Sequence, residues 1–400
     1  MAQTILTTDQ ITNKSLQLLE NNLVVTRNVN RQYDDSFANS GAKIGSTLRI
    51  RLPDRALVTD GPALGVQDDN EQFTTLTVSS QKHIAVNFTS AELTLSMDDF
   101  SERVLKPRLS QLAASVDNDV CGVYRDIFNS VGTPGTTPTT SLVLLQAQQK
   151  LSEGATDISP RYATVNPAAN SGLVEGMKGF FNPSGVISRQ FKSGMMGEGV
   201  LGFDEVNMSQ SLKNHTTGDW GTGITVTSTV STQGQSTLGI SFTGSSKTWK
   251  RGDVFTIAGV YAVNPQTRES TGSLQQFVVT EDVTGTSTAT VKISPALYDA
   301  SHALATILSF PAATNAITML GSANTIYPQN LVYHKNAITF ATADLIMPNG
   351  VDMAARKNYN GISLRFVRDY DINNDRMPCR IDVLYGVAAI RPAMAARLWG

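Results

Sequence analysis

The stretch DDFSERVLKPRLSQLAASVDNDVCGVYRDIFNSV, Asp98 to Val131, decides how the rest of the chain can fold. Its apolar residues stand at Phe100, Val104, Leu109, Leu112, Val116, Val120, Val123 and Ile127. Gaps of mostly three and four put them in one stripe down an α-helix, with Arg103, Arg108, Gln111, Asn118 and Arg125 off it. Pro107 cannot occupy a helix interior without losing a backbone hydrogen bond and clashing with the turn before it. The spacing therefore predicts a short helix ending near Lys106 and a long one that takes Pro107 as its first residue. Continued to Asn129 at about 1.5 Å per residue, that rod would be roughly 34 Å long. Gly132 and the TPGTTP run close it. A rod of this length needs support along one side.

Upstream, Thr8-Asp9 caps a predicted helix through Leu16, Leu19 and Leu23 to Val25, whose apolar side suits its own core or another chain equally. TLRIRL (Thr47–Leu52) alternates Leu48, Ile50 and Leu52 against Thr47, Arg49 and Arg51, the pattern of a half-solvated strand. A second strand region runs from Phe73 to Phe88. Between the two, PDRALVTDGPALGVQDDNEQ offers turns and little to bury, and loops this long are uncommon unless they serve a purpose. A long hairpin reaching from the body fits, with Arg49, Arg51, Asp54, Arg55, Asp68 and Asp69 as exposed charges. The competing interpretation is an idle, solvated loop.

Downstream, SLVLLQAQQKLSEGA (Ser141–Ala155) predicts a Ser-capped helix, RYATVNP a short buried strand and AANSGLVEGMK another helix. The segment from Phe180 to Gly218 is loop-rich. Composition then shifts to Thr, Ser and Gly between Gly221 and about Pro295, with β runs at 224–230, 238–242, 254–263, 274–280 and 289–293. Short strands at close spacing indicate a small barrel or sandwich, inserted because α/β sequence lies on both sides. Three alternating strands follow at 336–341, 361–370 and 380–387, enough for a sheet on which the long helix can lie.

The totals narrow the function. A formal net charge of −2 provides no global basic field for nucleic acid or anionic lipid. Two distant cysteines, Cys121 and Cys379, make no disulfide framework and suit a reducing cytosol. The first residues lack a cationic segment followed by an apolar one, which argues against a signal peptide. No window approaches ~18 uninterrupted apolar residues, so no membrane partner is expected. Gly197-Glu-Gly199-Val-Leu-Gly202 matches GxGxxG literally, but no helix pattern follows to present amide groups to a pyrophosphate. His83, His215, His302 and His334 lack ligand spacing, and no nucleophile or phosphate-loop motif occurs. No catalytic, metal or cofactor residue is assigned, which shifts weight towards a structural role.

Taken in order, the chain resembles the major capsid protein of tailed bacteriophages, and more narrowly the coat proteins of short-tailed phages that carry an inserted β-barrel. The resemblance rests on SMDDFSERVLKPRLSQLA, GVLGFDEVNMSQSLKNHTTG, WKRGDVFTIAGVYAVNPQT, LVYHKNAITFATADL and YNGISLRFVRDYDINNDRMPCRIDVLYGVAAIRPAMA, kept in sequence order over nearly the whole chain. It implies an α+β fold of HK-ninety-seven type. The N-terminal arm would be 1–30, an extended β-hairpin loop 31–89, and a peripheral domain with the spine helix 90–132. An axial domain would span 133–218, the inserted barrel 219–326, the axial return 327–345 and the closing peripheral strands 346–400. Copies would join as hexamers and pentamers of an icosahedral procapsid with a scaffolding protein. A portal protein would occupy one vertex, and the shell would expand as double-stranded DNA is packaged against its inner face. Assembly would occur in the host bacterial cytoplasm and end in the virion, with no enzymatic activity and no cofactor. Arg49, Arg51, Asp54, Arg55, Asp68 and Asp69 would then set register across a subunit boundary by charge complementarity. Two other classes compete: a secreted β-rich adhesin or carbohydrate-binding module, which leaves the long helix unexplained, and a cytosolic α/β enzyme, which lacks a clustered site.

Overall fold

A computed structural model describes residues 8–34, 47–53, 55–58, 61–62, 66, 72–88, 105–177, 196–374 and 376–400. They fall into two units.

The first unit takes its described residues from 8–50, 73–120 and 338–390. Its organising strand is Met377–Ala389, in which Ile381, Val383 and Tyr385 are buried. Three strands pair with it antiparallel: Ser80–Phe88, Ile338–Ala343 and Ile362–Arg368. Met353–Tyr359 makes a hairpin with Ile362–Arg368, and Asn30–Asp34 lies parallel to Ile338–Ala343. The alternation of Ile362, Leu364 and Phe366 buries one face. Asp382 is fully buried; it accepts from Arg365 Nη2 (2.7 Å), Arg380 Nε (2.6 Å) and Gln81 Nε2 (3.3 Å).

Helix α1 spans Thr8–Asn22, α2 Val25–Asn28 and α3 Lys106–Cys121. The α3 stripe is the predicted one: Leu109, Leu112, Val116 and Val120 are buried. It lies on the sheet, as expected. Arg108 Nη1 donates to the Ala85 carbonyl (2.7 Å), Lys82 pairs with Asp119 (2.6 Å), and the Tyr385 hydroxyl donates to Asp119 Oδ2 (2.8 Å). Burial and the Asp119 carboxylate hold the Tyr385 phenol above its ordinary range.

The rod is shorter than predicted. Its sixteen helical residues span about 24 Å, and a 3₁₀ turn, Gly122–Asp126, replaces the rest. Gly122 favours the break: it is a poor helix former, and a Cβ there would lie 3.2 Å from Lys213 Nζ. Val123 is buried on the tighter turn, and Ile127 is buried just after it, where the backbone is extended. The short helix expected before Lys106, with Phe100 and Val104, lies outside the described residues.

Thr47–Arg51 and Phe73–Thr77 form the expected two-stranded ribbon, but only as far as these five-residue strands. Leu48 and Ile50 pack with Leu76, Val78, Ala341, Ala343 and Leu384, so the base of the ribbon is seated on its own sheet. Gly386 permits the crossing. A Cβ at that position would stand 2.3 Å from the Thr77 carbonyl oxygen.

The second unit takes its described residues from 51–72, 121–337 and 391–400. One sheet runs in the order Ser130–Val131, Ala395–Leu398, Asn330–His334, Arg161–Val165, Phe203–Met208, Gly197–Val200. Helices α4 (Ser141–Glu153) and α5 (Pro167–Gly176) supply Leu144, Ala147, Leu151, Ala169 and Leu173 to a core shared with Ala163, Val165, Phe203, Val332 and Leu398. The cap of α4 differs from expectation: Ser141 is its first residue, and Thr140, at the cap position, makes no side-chain bond. At α5, Asn166 Oδ1 accepts from the Ala169 amide (2.7 Å) with Pro167 leading the helix. Gly197–Val200 and Phe203–Met208 form a hairpin where the sequence had indicated loop, so the GxGxxG match precedes a strand and not a helix.

The Thr/Ser/Gly-rich segment forms a second sheet, ordered Thr222–Val226, Gln235–Thr243, Thr288–Leu297, Ser270–Val279, Val254–Val263, Ile317–Met319. Its ends meet through the Thr225–Ala316 bridge, with Val226 bonded to Asn315 and Thr314. Trp249, Phe242, Phe255, Phe277, Leu238 and Ile257 fill the interior, and Trp249 meets Phe242 edge-on at 4.5 Å.

Candidate assembly surfaces and a buried junction

On the strand Thr47–Arg51, exposure alternates with Leu48 and Ile50, so Arg49 and Arg51 share the solvent face. The Arg49 guanidinium lies 5.0 Å above the ring of Phe73, itself 55% exposed. Such a stacked cation presents a flat surface that is both charged and apolar, suited to a partner. Arg55 is exposed beyond the strand. Asp54, Asp68 and Asp69 lie outside the described residues, so the expected opposite-sign register is one for experiment. The charge pattern also overlooked two apolar residues of the same loop: Val58 and Val66 are each 82% exposed.

A second feature lies in the interior of the second unit. His215, on the strand Asn214–Thr216, is buried with both ring nitrogens engaged: Nε2 with Asp253 Oδ1 (2.8 Å) and Nδ1 with the Tyr124 hydroxyl (3.1 Å). The other Asp253 oxygen accepts from Trp220 Nε1 (2.8 Å), the Lys250 amide (2.8 Å) and the Gly218 amide (3.2 Å). These donors are fixed as donors, so Asp253 serves as the shared acceptor. His215 Nε2 faces the same acceptor.

Arg397 completes the junction from the strand Ala395–Leu398. Its guanidinium is buried, donates through Nε to the Ile127 carbonyl (3.1 Å) and through Nη1 to the Gly252 carbonyl (2.7 Å), and lies 5.3 Å above the Tyr124 ring. Burial pulls its pKa down to about 10. The 3₁₀ turn after α3, the approach to the β-rich sheet and the last strand thus converge on one set of polar bonds. A Tyr–His–Asp chain elsewhere can move protons. Here all three are buried, so no substrate reaches them and the arrangement holds structure.

Sequence inspection treated His215 as isolated; its partners lie 91 and 38 residues away, and no local spacing announces them. Among the described residues no group of three His, Cys, Asp or Glu could hold a metal. Cys121 is buried near the apolar face of α3 as expected.

A family model described as "P22 coat protein - gene protein 5" matches residues 1–400. No curated protein matches the chain. Among solved structures, a Mycobacterium phage Che8 chain is 12% identical, with 94% of this chain and 90% of that chain covered and a TM-score of 0.46. A chain from the bacteriophage PhiM1 mature capsid is 10% identical, covering 94% and 86%, with a TM-score of 0.44. The CUS-3 coat protein I-domain is 29% identical over 25% of this chain and 96% of its own length, with a TM-score of 0.20.

Proposed function

The chain belongs to the P22 coat protein family, and on that premise we propose that its copies join as hexamers and pentamers of an icosahedral procapsid, built with a scaffolding protein. As a member it is a structural protein, the major capsid protein of a tailed bacteriophage, with that family's α+β fold, and its place is the virion. Assembly in the host cytoplasm, a portal at one vertex and expansion as double-stranded DNA is packaged complete the proposal. The observation that carries it is the match across all 400 residues, from the N-terminal helix to the last strand.

The geometry supports a division of labour. The sheet bearing α3, which takes in Ile338–Ala343 from the expected axial return, would serve as the peripheral domain, and the sheet bearing α4 and α5, which takes in Ala395–Leu398 from the expected closing strands, as the axial domain. Residues 219–326 would be the inserted barrel, a role that suits a sheet with joined ends and an aromatic core of its own. Arg49, Arg51 and Arg55, with Asp54, Asp68 and Asp69, would set register against a neighbouring subunit. Each exposed pair contributes about 0–1 kcal/mol, so stability would come from repetition around a closed lattice.

Electron microscopy of the expressed protein with its scaffolding partner tests the proposal. Closed shells are expected; a small, monodisperse oligomer under the same conditions overturns it. Residues 219–326 expressed alone should give a β-type circular dichroism spectrum, and a random-coil spectrum would refute the insertion boundaries.

A further inference from the structure

In the first unit, two carboxylates help to fasten the N-terminal segment, whose end continues into the strand Asn30–Asp34. At the first, Asp117 of α3 is 2% exposed and receives four hydrogen bonds from three consecutive residues. Its Oδ2 accepts from the amides of Val24 (2.7 Å) and Val25 (3.3 Å), and its Oδ1 from the amide (3.0 Å) and hydroxyl (2.6 Å) of Thr26. These are first-turn amides of α2, which no intrahelical carbonyl can satisfy. At the second point, Glu20 Oε1 accepts from Arg31 Nη1 (3.2 Å) and Asn360 Nδ2 (2.6 Å). Arg31 also donates to the Asn360 carbonyl (3.0 Å).

Between the fastenings, α1 rests on the strands Met353–Tyr359 and Ile362–Arg368. Its buried face combines Leu16, Leu19 and Leu23 with Thr12 and Ser15, and the buried Ser15 hydroxyl has no hydrogen-bond partner. A seat that buries an unsatisfied hydroxyl is less than optimal for the group it holds. The apolar seal comprises Leu16, Leu19 and Leu23 with Val25 and Val29, while the four hydrogen bonds to α3 converge on one carboxylate.

We infer that Asp117 is a latch: it holds residues 12–28 against their own subunit, and its loss frees that segment while the sheet stays folded. The latch does not rest on the shell assembly proposed above. Once released, α1 would expose Leu16, Leu19 and Leu23 together with the sheet surface they cover, two complementary surfaces on every copy.

Amide hydrogen exchange on the full-length Asp117→Ala protein tests this. Protection of residues 12–28 should fall at least about tenfold, while that of 362–368 and 379–387 stays at the native level. Trypsin should also cut sooner at Lys14 and Arg27, both exposed side chains on the freed segment. Unchanged protection in 12–28, or an equal loss in the sheet, overturns the latch. Should Asp117→Ala fail to fold, Thr26→Val, which removes one donor, decides. A local loss of about threefold in 12–28 supports the latch, and no local loss refutes it.

Discussion

Asp117 and Asp253 are chemically alike and differ in where their partners lead. Each is a buried carboxylate with four hydrogen-bond donors. The donors to Asp117 come from Val24–Thr26 alone, so the bonds form or break with one short segment. Those to Asp253 come from His215, Gly218, Trp220 and Lys250, and Arg397 bonds the carbonyl of the adjoining Gly252. Apart from Lys250 in its own turn, Asp253 therefore also draws on one stretch, 215–220, and what sets it apart is that His215 and Gly252 carry the bonding on to Tyr124 and Arg397. A carboxylate whose partners end at one segment can govern a local motion, whereas one whose partners bond onward into a network becomes part of the unit's cooperative fold.

The sharpest way to break this comparison is to remove both carboxylates in turn. Asp253→Ala strands the Trp220 and His215 donors and two amides, and should cost about 3–5 kcal/mol of unfolding free energy in a urea titration. Asp117→Ala should cost about 1–2 kcal/mol, the range of a lost helix cap, since its amides can turn to water once the segment lifts. Equal losses would dissolve the distinction.

Alkaline titration sharpens it further, because buried groups in the two units respond with opposite sign. In the first unit, burial pushes the Cys379 thiol up to about 12 from an ordinary 9.0. The unfolded chain ionises first, so this group's contribution to stability is complete below about pH 9 and falls as pH rises. Between pH 8 and 10.5 the loss should be about 1–2 kcal/mol, and Cys379→Ala should flatten that slope. In the second unit, Arg397 has its folded pKa lowered, so its contribution improves as pH rises beyond about 10. The smallest stability change is expected at the surface. Arg49→Glu with Arg51→Glu should move unfolding by no more than about 0.5 kcal/mol. The shell yield should nevertheless drop, and normal shells from this variant would remove the ribbon's assigned role.

What the sequence disclosed followed periodicity. The α3 stripe, α4, α5 and the strands at Val254–Val263 and Ile362–Arg368 carry apolar residues at helical or alternating spacing, and they form where that spacing puts them. Asn30–Asp34 reads NRQYD, which has no apolar alternation; its strand pairs at the edge of the sheet with Ile338–Ala343, some 300 residues away in sequence. Met353–Tyr359, MAARKNY, was equally silent, and its place depends on the hairpin partner Ile362–Arg368. The ribbon charges Arg49 and Arg51 were legible from alternation. The Arg49–Phe73 stack was not, because it depends on register between two strands. The junction around Asp253 left no local signal, since each of its contacts joins residues that only the completed fold brings together.

The position of Arg397 in that junction bears on how a nascent chain matures. Residues 214–253 leave the ribosome with the carboxylate, the imidazole and the indole already able to meet. The guanidinium that seats against Gly252 and Tyr124 emerges almost 150 residues later. A chain that stops short of that codon lacks the cation that joins the Ile127 and Gly252 carbonyls.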